Sequence, residues 1–482
     1  MPASLDLLAA LRREDLLLNA PEPLPAITSL VADSRVVTAG ALYAAVRGTQ
    51  TDGHRFAADA VRRGAAALMV ETPLDLGVPE IVVRDGRRAL LAAARAWYGE
   101  PCRSLTLIGV TGTNGKTTTT GLIRHLLNGA GRAGSIGTLG AFDGAGAEIP
   151  STAGSLTTPG AADLQAALAA LRDRGVTHVA MEASSHALDQ GRLDGITFAA
   201  AVFTNLTRDH LDYHGTMESY LAAKLRLSSH LAVNGIEVVN LDDPTWREMP
   251  DRAGRVTFGT DPGADLRACA IDLAAGGSRF RLAGQWGEAD VSLPLLGDFN
   301  VSNALAAAAT ALGLGLSLGE VVRRLESSPQ VPGRMERIAE RPGVILRDYA
   351  HTPDALERAL ATLRALTPGR LIVLFGCGGD RDRGKRPLMG QVAAERADLA
   401  IVTSDNPRTE DPDAIIDEIE AGMGRAHHLR VSDRRAAIAA ALAEVRPGDT
   451  LLLAGKGHET YQVIGTEKLP FDEREIVREL IA

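Results

Sequence analysis

Gly112, Gly115, Lys116 and Thr117 have a spacing that can hold a phosphate, within the stretch GVTGTNGKTTTTG (109–121). The apolar run SLTLIGV leads into it and TTTTGLIRHLLNGAG follows, which reads as strand, glycine turn and helix. At such a junction free backbone N–H groups and the helix dipole point at the same spot, where an anion is stabilised. Gly112 and Gly115 let the main chain wrap the phosphates, with Thr113, Asn114 and Thr118 completing the loop. Lys116 supplies charge to the β and γ oxygens, and the Thr117 hydroxyl is a ligand for Mg²⁺. The usual phosphate-loop pattern places a glycine five residues before Gly115, where this chain has Val110. The loop is therefore read as a variant of that pattern. A nucleotide site alone suits a GTPase switch, a kinase or a ligase. The Asn-Lys-x-Asp guanine motif is missing from the sequence.

Two further stretches carry chemistry. VAMEASSHALDQGRLDG places Glu182 just past a strand, where a carboxylate could hold Mg²⁺ beside Thr117, with Ser184, Gln190 and Arg192 on the same connection. FTNLTRDHLDYHG gathers Asp209, His210, Asp212 and His214. Such a cluster could belong to a binuclear metal hydrolase, but the sequence holds no second His/Asp cluster to complete one. The favoured reading is His210 at a magnesium site, with the other three capping the loop. Lys224, on the Ala/Leu-rich stretch YLAAKLRLSS, reads as an ordinary snorkelling surface lysine.

The elements that must position these residues follow from length and pattern. A chain of 482 residues suggests three domains. Strand-like runs ALYAAVRG, AALMVE and EIVVRD precede the glycine loop; THVAMEA, FAAAVFTNL and IEVVNLDD follow it. After the proline-bearing SSPQVPGRMERI (327–338) the pattern restarts with GVILRDYA, RLIVLFGC, DLAIVTSD and DTLLLAG. Strands alternating with helices predict an α/β fold with parallel sheets covered on both faces. The expected division is 1–100, 101–330 and 331–482: a substrate domain, a central P-loop ATPase domain and a Rossmann-like C-terminal domain. The net charge of −9 offers no global attraction for nucleic acid or anionic lipid. Cys102, Cys269 and Cys377 are far apart, which argues against a disulfide framework. The N-terminus lacks a signal-peptide layout and ALAAAATALGLGLSLG is too short to span a membrane. A cytoplasmic, monomeric protein without membrane insertion is expected.

Together these stretches resemble the Mur ligases, ATP-dependent enzymes that build the stem peptide of bacterial cell-wall precursors. The resemblance runs through DSR (33–35), GTNGKTT, MEASSH, TNLTRDHLDYHG and LGDFNVSNALAA. It continues in PGRMERI, DYAHTPDAL, CGGDRDRGKRP, DNPRTEDP and AGKGHE. It is greatest for the member that adds the third residue to UDP-N-acetylmuramoyl-L-Ala-D-Glu. The resemblance implies that Ser34, Thr49, Gln50 and Thr51 contact the UDP end, and that Thr157, Thr158, Ser184, Gln190 and Arg192 hold the muramoyl peptide. It implies that Asn300, Asn303, Arg334 and Asp348 join the phosphate loop on ATP. It also places Lys224 where the family carbamylates a lysine, turning a cation into an anion able to organise Mg²⁺. The implied mechanism activates the substrate γ-carboxylate as an acyl phosphate, which an amino-acid amine then attacks. No protein nucleophile is needed.

The acceptor is read from SDNPRTEDP. In the resembling enzymes Asp405, Asn406, Pro407 and Arg408 accompany meso-diaminopimelate. Arg408 can clamp the far carboxylate bidentately while Asp405 and Asn406 take the ammonium. Lysine or ornithine would leave that arginine unpaired, a discrimination of about 10⁴. Arg381 is implied at the near carboxylate, with Gly455 and Glu459 as further contacts. The alternatives are the same ligation with lysine or ornithine, a folylpolyglutamate-synthetase-like ligase, and a nucleotide-gated binding module without chemistry.

Overall fold

The computed structural model describes residues 3–48, 51–150, 156–274 and 276–481. They fold as two compact units. One takes the described residues of Met1–Arg267, Gly284–Trp286 and Asn303–Ser317; the other takes Ala268–Ala283, Gly287–Ser302 and Leu318–Ala482. The second unit thus includes segments upstream of 330 that the expected division groups with the centre.

In the first unit the strand Thr106–Thr111 pairs in parallel with His178–Glu182 on one side and Phe198–Phe203 on the other. Leu231–Asn240 and Arg255–Gly259 extend the parallel sheet beyond Phe198–Phe203, and Ala133–Gly137 lies outside His178–Glu182. These strands are nearly continuous apolar runs because both sheet faces are covered. Ile108, Val179, Val202 and Phe203 are fully buried. Register decides where chemistry can occur. Val110 stands opposite both Glu182 and Val202, so three neighbouring strands end at one level and release their loops together. Open α/β sheets bind ligands at that carboxyl edge.

A second sheet of the same unit runs Leu17–Asn19, Glu80–Val83, Ala67–Val70, Ala41–Ala44, Ser29–Val31, parallel except at its first strand. Its helix Gly86–Trp97 begins at Asp85, whose carboxylate accepts the N–H groups of Arg87 and Arg88. This satisfies two donors that a helix start leaves open.

The second unit carries a six-stranded sheet in the order Glu336–Ala339, Val344–Asp348, Thr450–Ala454, Leu371–Phe375, Leu399–Val402, His428–Arg430. All but the first pairing are parallel. Helices Pro353–Leu366 and Pro412–Glu420 start with proline after Thr352 and Asp411 caps, where the missing N–H costs nothing. Apolar layers on both faces, around Phe375 and around Ile372, bury the sheet.

Candidate active site

The phosphate loop follows directly from strand Thr106–Thr111. Gly112 has φ +147° and Gly115 φ +82°, values that L side chains rarely adopt. A Cβ at Gly112 would lie 1.9 Å from Thr204 Oγ1, and one at Gly115 would lie 2.3 Å from Asn303 Oδ1. Val110 is fully buried inside the strand, where the extended backbone has no need of glycine. The turn simply begins two residues later, which accounts for the displaced glycine. The helix Lys116–Leu127 starts here, with Thr117 and Thr118 buried. Lys116 Nζ donates to the carbonyls of Gly112 at 2.9 Å and Thr113 at 2.8 Å.

The stretch after Phe203 latches the loop, a role that sequence reasoning missed. Thr113 N donates to Asn205 O, and Asn114 N to Asn205 Oδ1. Thr204 Oγ1 donates to Asn114 O at 2.7 Å. Asn303 Oδ1 accepts from Thr119 Oγ1 at 3.3 Å, which brings Asn303 to the loop.

Glu182 ends its strand with 1% exposure. Its carboxylate accepts Thr138 N at 2.8 Å and Thr138 Oγ1 at 3.2 Å, and Thr157 Oγ1 lies 3.2 Å from Thr138 Oγ1. Thr158 Oγ1 donates to the Glu182 carbonyl at 2.8 Å and lies 3.1 Å from Ser184 Oγ. Arg192 donates through Nε to Gln190 Oε1 and through NH1 to Thr158 O. Thr157, Thr158, Ser184, Gln190 and Arg192, which the family resemblance groups on the muramoyl peptide, form one hydrogen-bonded network with Glu182. Burial lowers the Arg192 pKa.

Gln190 and Arg192 line a cavity of about 560 Å³ with Thr51, Arg87, His186 and Tyr213. Ser34 is buried at the start of a short turn, and Ala32, two residues before it, lines the cavity. Thr49 and Gln50 lie outside the described residues. Arg87 and His186 were not singled out from sequence. Arg87 donates to Gln190 O at 3.0 Å and to Arg47 O at 3.2 Å. No spacing signal marks it, whereas His186 is spelled within MEASSH.

The histidine stretch needs correction. His210 has φ +54° and precedes the turn Leu211–His214, which no side chain caps. Of the three residues expected to cap the loop, only Asp209 does so locally, accepting the His210 N–H. His214 Nε2 instead shares a hydrogen bond with Ser185 Oγ at 3.0 Å, and Asp212 lines the cavity. The His186 ring packs against His210 and Tyr213, with centroids 4.9 and 4.3 Å away. Burial, then the neighbouring histidines, brings the His186 pKa down to about 4. Burial also lowers that of His210, helped by Lys116 and Lys224 and opposed by Asp209.

Lys224 is not a surface lysine. It is 1% exposed, its Nζ donates to Gly112 O at 2.7 Å, and it stands 4.3 Å from the Tyr220 ring centroid. Helical phase, invisible without the packing partners, turns it onto the phosphate loop. Burial, then the Lys116 cation, lowers its pKa well below the ordinary value.

In the second unit, Asp348 Oδ2 accepts Met335 N at 2.7 Å, and Arg334 stands over the Tyr349 ring at 4.6 Å. Burial raises the Asp348 pKa against the pull of Arg334. Asn300 Nδ2 donates to Leu296 O within its own segment. Arg408 has φ +52°, and its NH1 donates to Gly379 O at 2.8 Å. A Cβ at Gly378 would touch Arg408 NH1 at 2.9 Å and Arg381 Cγ at 3.7 Å, so the two arginines flank one glycine. Pro407 O lies 1.9 Å from where a Cβ at Gly379 would stand, and Asp405 Oδ2 2.5 Å from that at Gly455. Both glycines allow close approach of the loops. Asn406 departs from expectation: its Oδ1 already accepts Lys456 Nζ and Val463 N, and its Nδ2 donates to Glu459. With both lone pairs engaged, Asn406 ties the neighbouring segments at Lys456 and Val463 together.

Three family models match the chain: "Mur ligase family, catalytic domain" over 26–98, "Mur ligase middle domain" over 110–311 and "Mur ligase, glutamate ligase domain" over 333–457. The UDP-N-acetylmuramoyl-L-alanyl-D-glutamate–2,6-diaminopimelate ligase of Geobacillus kaustophilus is 47% identical over 466 residues, covering 94% of each chain. A solved structure of a ligase of that name is 36% identical, with TM-score 0.65 over 98% of each chain. The MurF ligase from Thermotoga maritima in complex with ADP shares the fold at 23% identity, with TM-score 0.67 over 94% of this chain and 96% of that one. With the phosphate loop, the Glu182 network and near full-length identity of this order, the chain belongs to the Mur ligase family.

Proposed function

We propose that the protein is an ATP-dependent ligase that adds meso-diaminopimelate to the D-Glu γ-carboxylate of UDP-N-acetylmuramoyl-L-Ala-D-Glu. The observation that carries this reading is Thr158, whose hydroxyl binds the Glu182 carbonyl on one side and Ser184 on the other. The Glu182 segment and, through Arg192 on the Thr158 carbonyl, the polar wall of the cavity are thereby one connection, as joining a phosphate to a bound carboxylate requires. Within the same reading, 1–100 binds the UDP end, 101–330 binds ATP and 331–482 the acceptor.

The bound γ-carboxylate attacks the ATP γ-phosphorus, ADP leaves, and an acyl phosphate forms. The acceptor amine then adds to the acyl carbon, loses a proton, and phosphate departs with the C–O bond. Lys116 and the positive end of the helix Lys116–Leu127 would meet charge on the transferred phosphoryl group, a stabilisation preset before reaction. Among the described residues no three His, Cys, Asp or Glu side chains converge into a metal cage. The hydroxyl and carboxylate donors present suit Mg²⁺, which keeps waters and takes phosphate oxygens in place of an all-protein shell. Thr117, Glu182, His210 and carbamylated Lys224 would hold it; when bound, it neutralises phosphoryl charge. No described helix is long and apolar enough to cross a membrane; we place the chain in the cytoplasm as a monomer.

Phosphate release with ATP, Mg²⁺ and UDP-N-acetylmuramoyl-L-Ala-D-Glu tests the assignment, with diaminopimelate, lysine or ornithine added separately. Release with diaminopimelate alone is expected. Release with lysine or ornithine instead refutes the acceptor, and release with none refutes the ligase.

Lys224 supplies a second expectation. Carbamylation needs a neutral amine to attack CO₂, releasing a proton, and a lowered pKa enlarges that fraction near neutrality. ¹³C-bicarbonate should give a carbamate resonance that weakens as pH falls through the lysine pKa and is missing from Lys224→Met. Activity of that variant should fall about 10²-fold. Identical spectra for the two proteins would end the assignment.

A further inference from the structure

Behind the acceptor loop lies a lysine that the mechanism does not use. Lys456 is fully buried, and its Nζ donates to Asn406 Oδ1 at 3.1 Å and to Glu459 Oε2 at 3.2 Å. Asn406 Nδ2 donates to the same Glu459 oxygen at 2.8 Å, closing a triangle. The rings of Tyr461 and Phe471 stand 5.9 and 6.0 Å from the ammonium. A buried cation is costly unless paired and hydrogen-bonded, so the triangle holds together as a unit. It is also tied to the arginine loop, because Asn406 Oδ1 accepts Val463 N while Val463 O accepts Arg408 N at 3.1 Å.

Both bonds to Glu459 converge on Oε2. Among the described residues Oε1 accepts no hydrogen bond, and the side chain keeps 16% of its exposure. We propose that Lys456 is a positioning residue for the acceptor amino acid: it anchors one oxygen of Glu459 so that the other meets the acceptor ammonium. This rests on the acceptor-site assignment made above. A free glutamate would have to order several side-chain torsions on binding, at a cost that weakens association. The buried lysine and Asn406 have already met that cost. Lys456 touches no reacting atom, so it acts through KM for the acceptor and not through the phosphoryl step.

The test uses the full-length enzyme with Lys456→Met, which keeps the volume, and Lys456→Gln, which keeps a donor to Asn406 and removes the charge. Thermal midpoints report folding, so the glutamine variant carries the test if methionine is not accommodated. The KM for diaminopimelate is expected to rise about 10- to 100-fold, with kcat and the KM for ATP within about threefold. In the Glu459→Gln background the same change should add under about threefold, since the residues act in series. A folded variant with unchanged acceptor KM, or effects that multiply in the double variant, overturns the proposal. If Glu459→Gln alone leaves the acceptor KM unmoved, the acceptor-site reading itself fails, and the role of Lys456 with it.

Discussion

Lys116→Met is expected to lower phosphate release about 10³-fold at saturating ATP, while UDP-substrate binding stays within about threefold. The ammonium is held at the helix start by the Gly112 and Thr113 carbonyls, so it is placed before the nucleotide arrives and needs little reorganisation. Removing one such preset charge from a phosphoryl or acyl transfer site costs about 10²–10³ in rate; the negative charge to be met here supports the upper end. A second readout separates this from collapse of the loop. Lys116 is one of the cations that disfavour protonation of His210, so its loss should move the His210 pKa upward, measurable by NMR of the imidazole. If turnover falls less than about tenfold with ATP binding intact, the lysine does not face the transferred phosphoryl group. If turnover and ATP binding fall together, the loop has rearranged and the loss is structural.

The contrast between Lys116 and Lys224 shows what the sequence could reveal. Lys116 was legible because its neighbours in sequence build its environment: a strand, two glycines and a helix start. Lys224 was not, because the groups that bury it, Gly112 and Tyr220, include one more than a hundred residues away, and an Ala/Leu-rich helix offers no clear polar face. Resemblance alone singled it out. The same division runs through the fold. The apolar runs at 106–111, 178–182, 198–203 and 371–375 were readable as parallel strands because both faces are buried. Leu266–Ala274, Gly277–Gly284 and Gly287–Leu293 escaped notice, since their alternating exposure mixes charged residues into each run. Asn406 illustrates the limit for sites. Its residue type suits an ammonium, but only the structure shows its acceptor oxygen already filled. Arg87 joins two carbonyls from separate loops, a geometry that has no local signature.

Arg408→Ala should reduce kcat/KM for diaminopimelate by about 10³–10⁴ and leave the KM for ATP within about threefold. The arginine is unusually fixed. Its backbone is left-handed at φ +52°, a conformation costing about 1–3 kcal/mol for a residue of this kind. Val463 O accepts its N–H, and its carbonyl accepts Gly465 N at 2.8 Å. NH1 is spent on Gly379 O and Asn406 O, which leaves the Nε and NH2 edge for a carboxylate, a bidentate geometry that lysine cannot copy. Arg408→Lys should therefore recover only part of the loss, staying about 10²-fold below wild type. Discrimination supplies the decisive comparison. A site built to pair a substrate charge rejects an analogue lacking it because its own group is left unpaired. With the guanidinium gone that penalty disappears, so turnover of diaminopimelate and lysine should approach one another, mainly through loss of the former. Diaminopimelate turnover within about tenfold of wild type in Arg408→Ala would mean that the far carboxylate is held elsewhere. Arg381 would then be the candidate, since it flanks the same glycine, is exposed, and donates its NH1 to the Asp380 carbonyl.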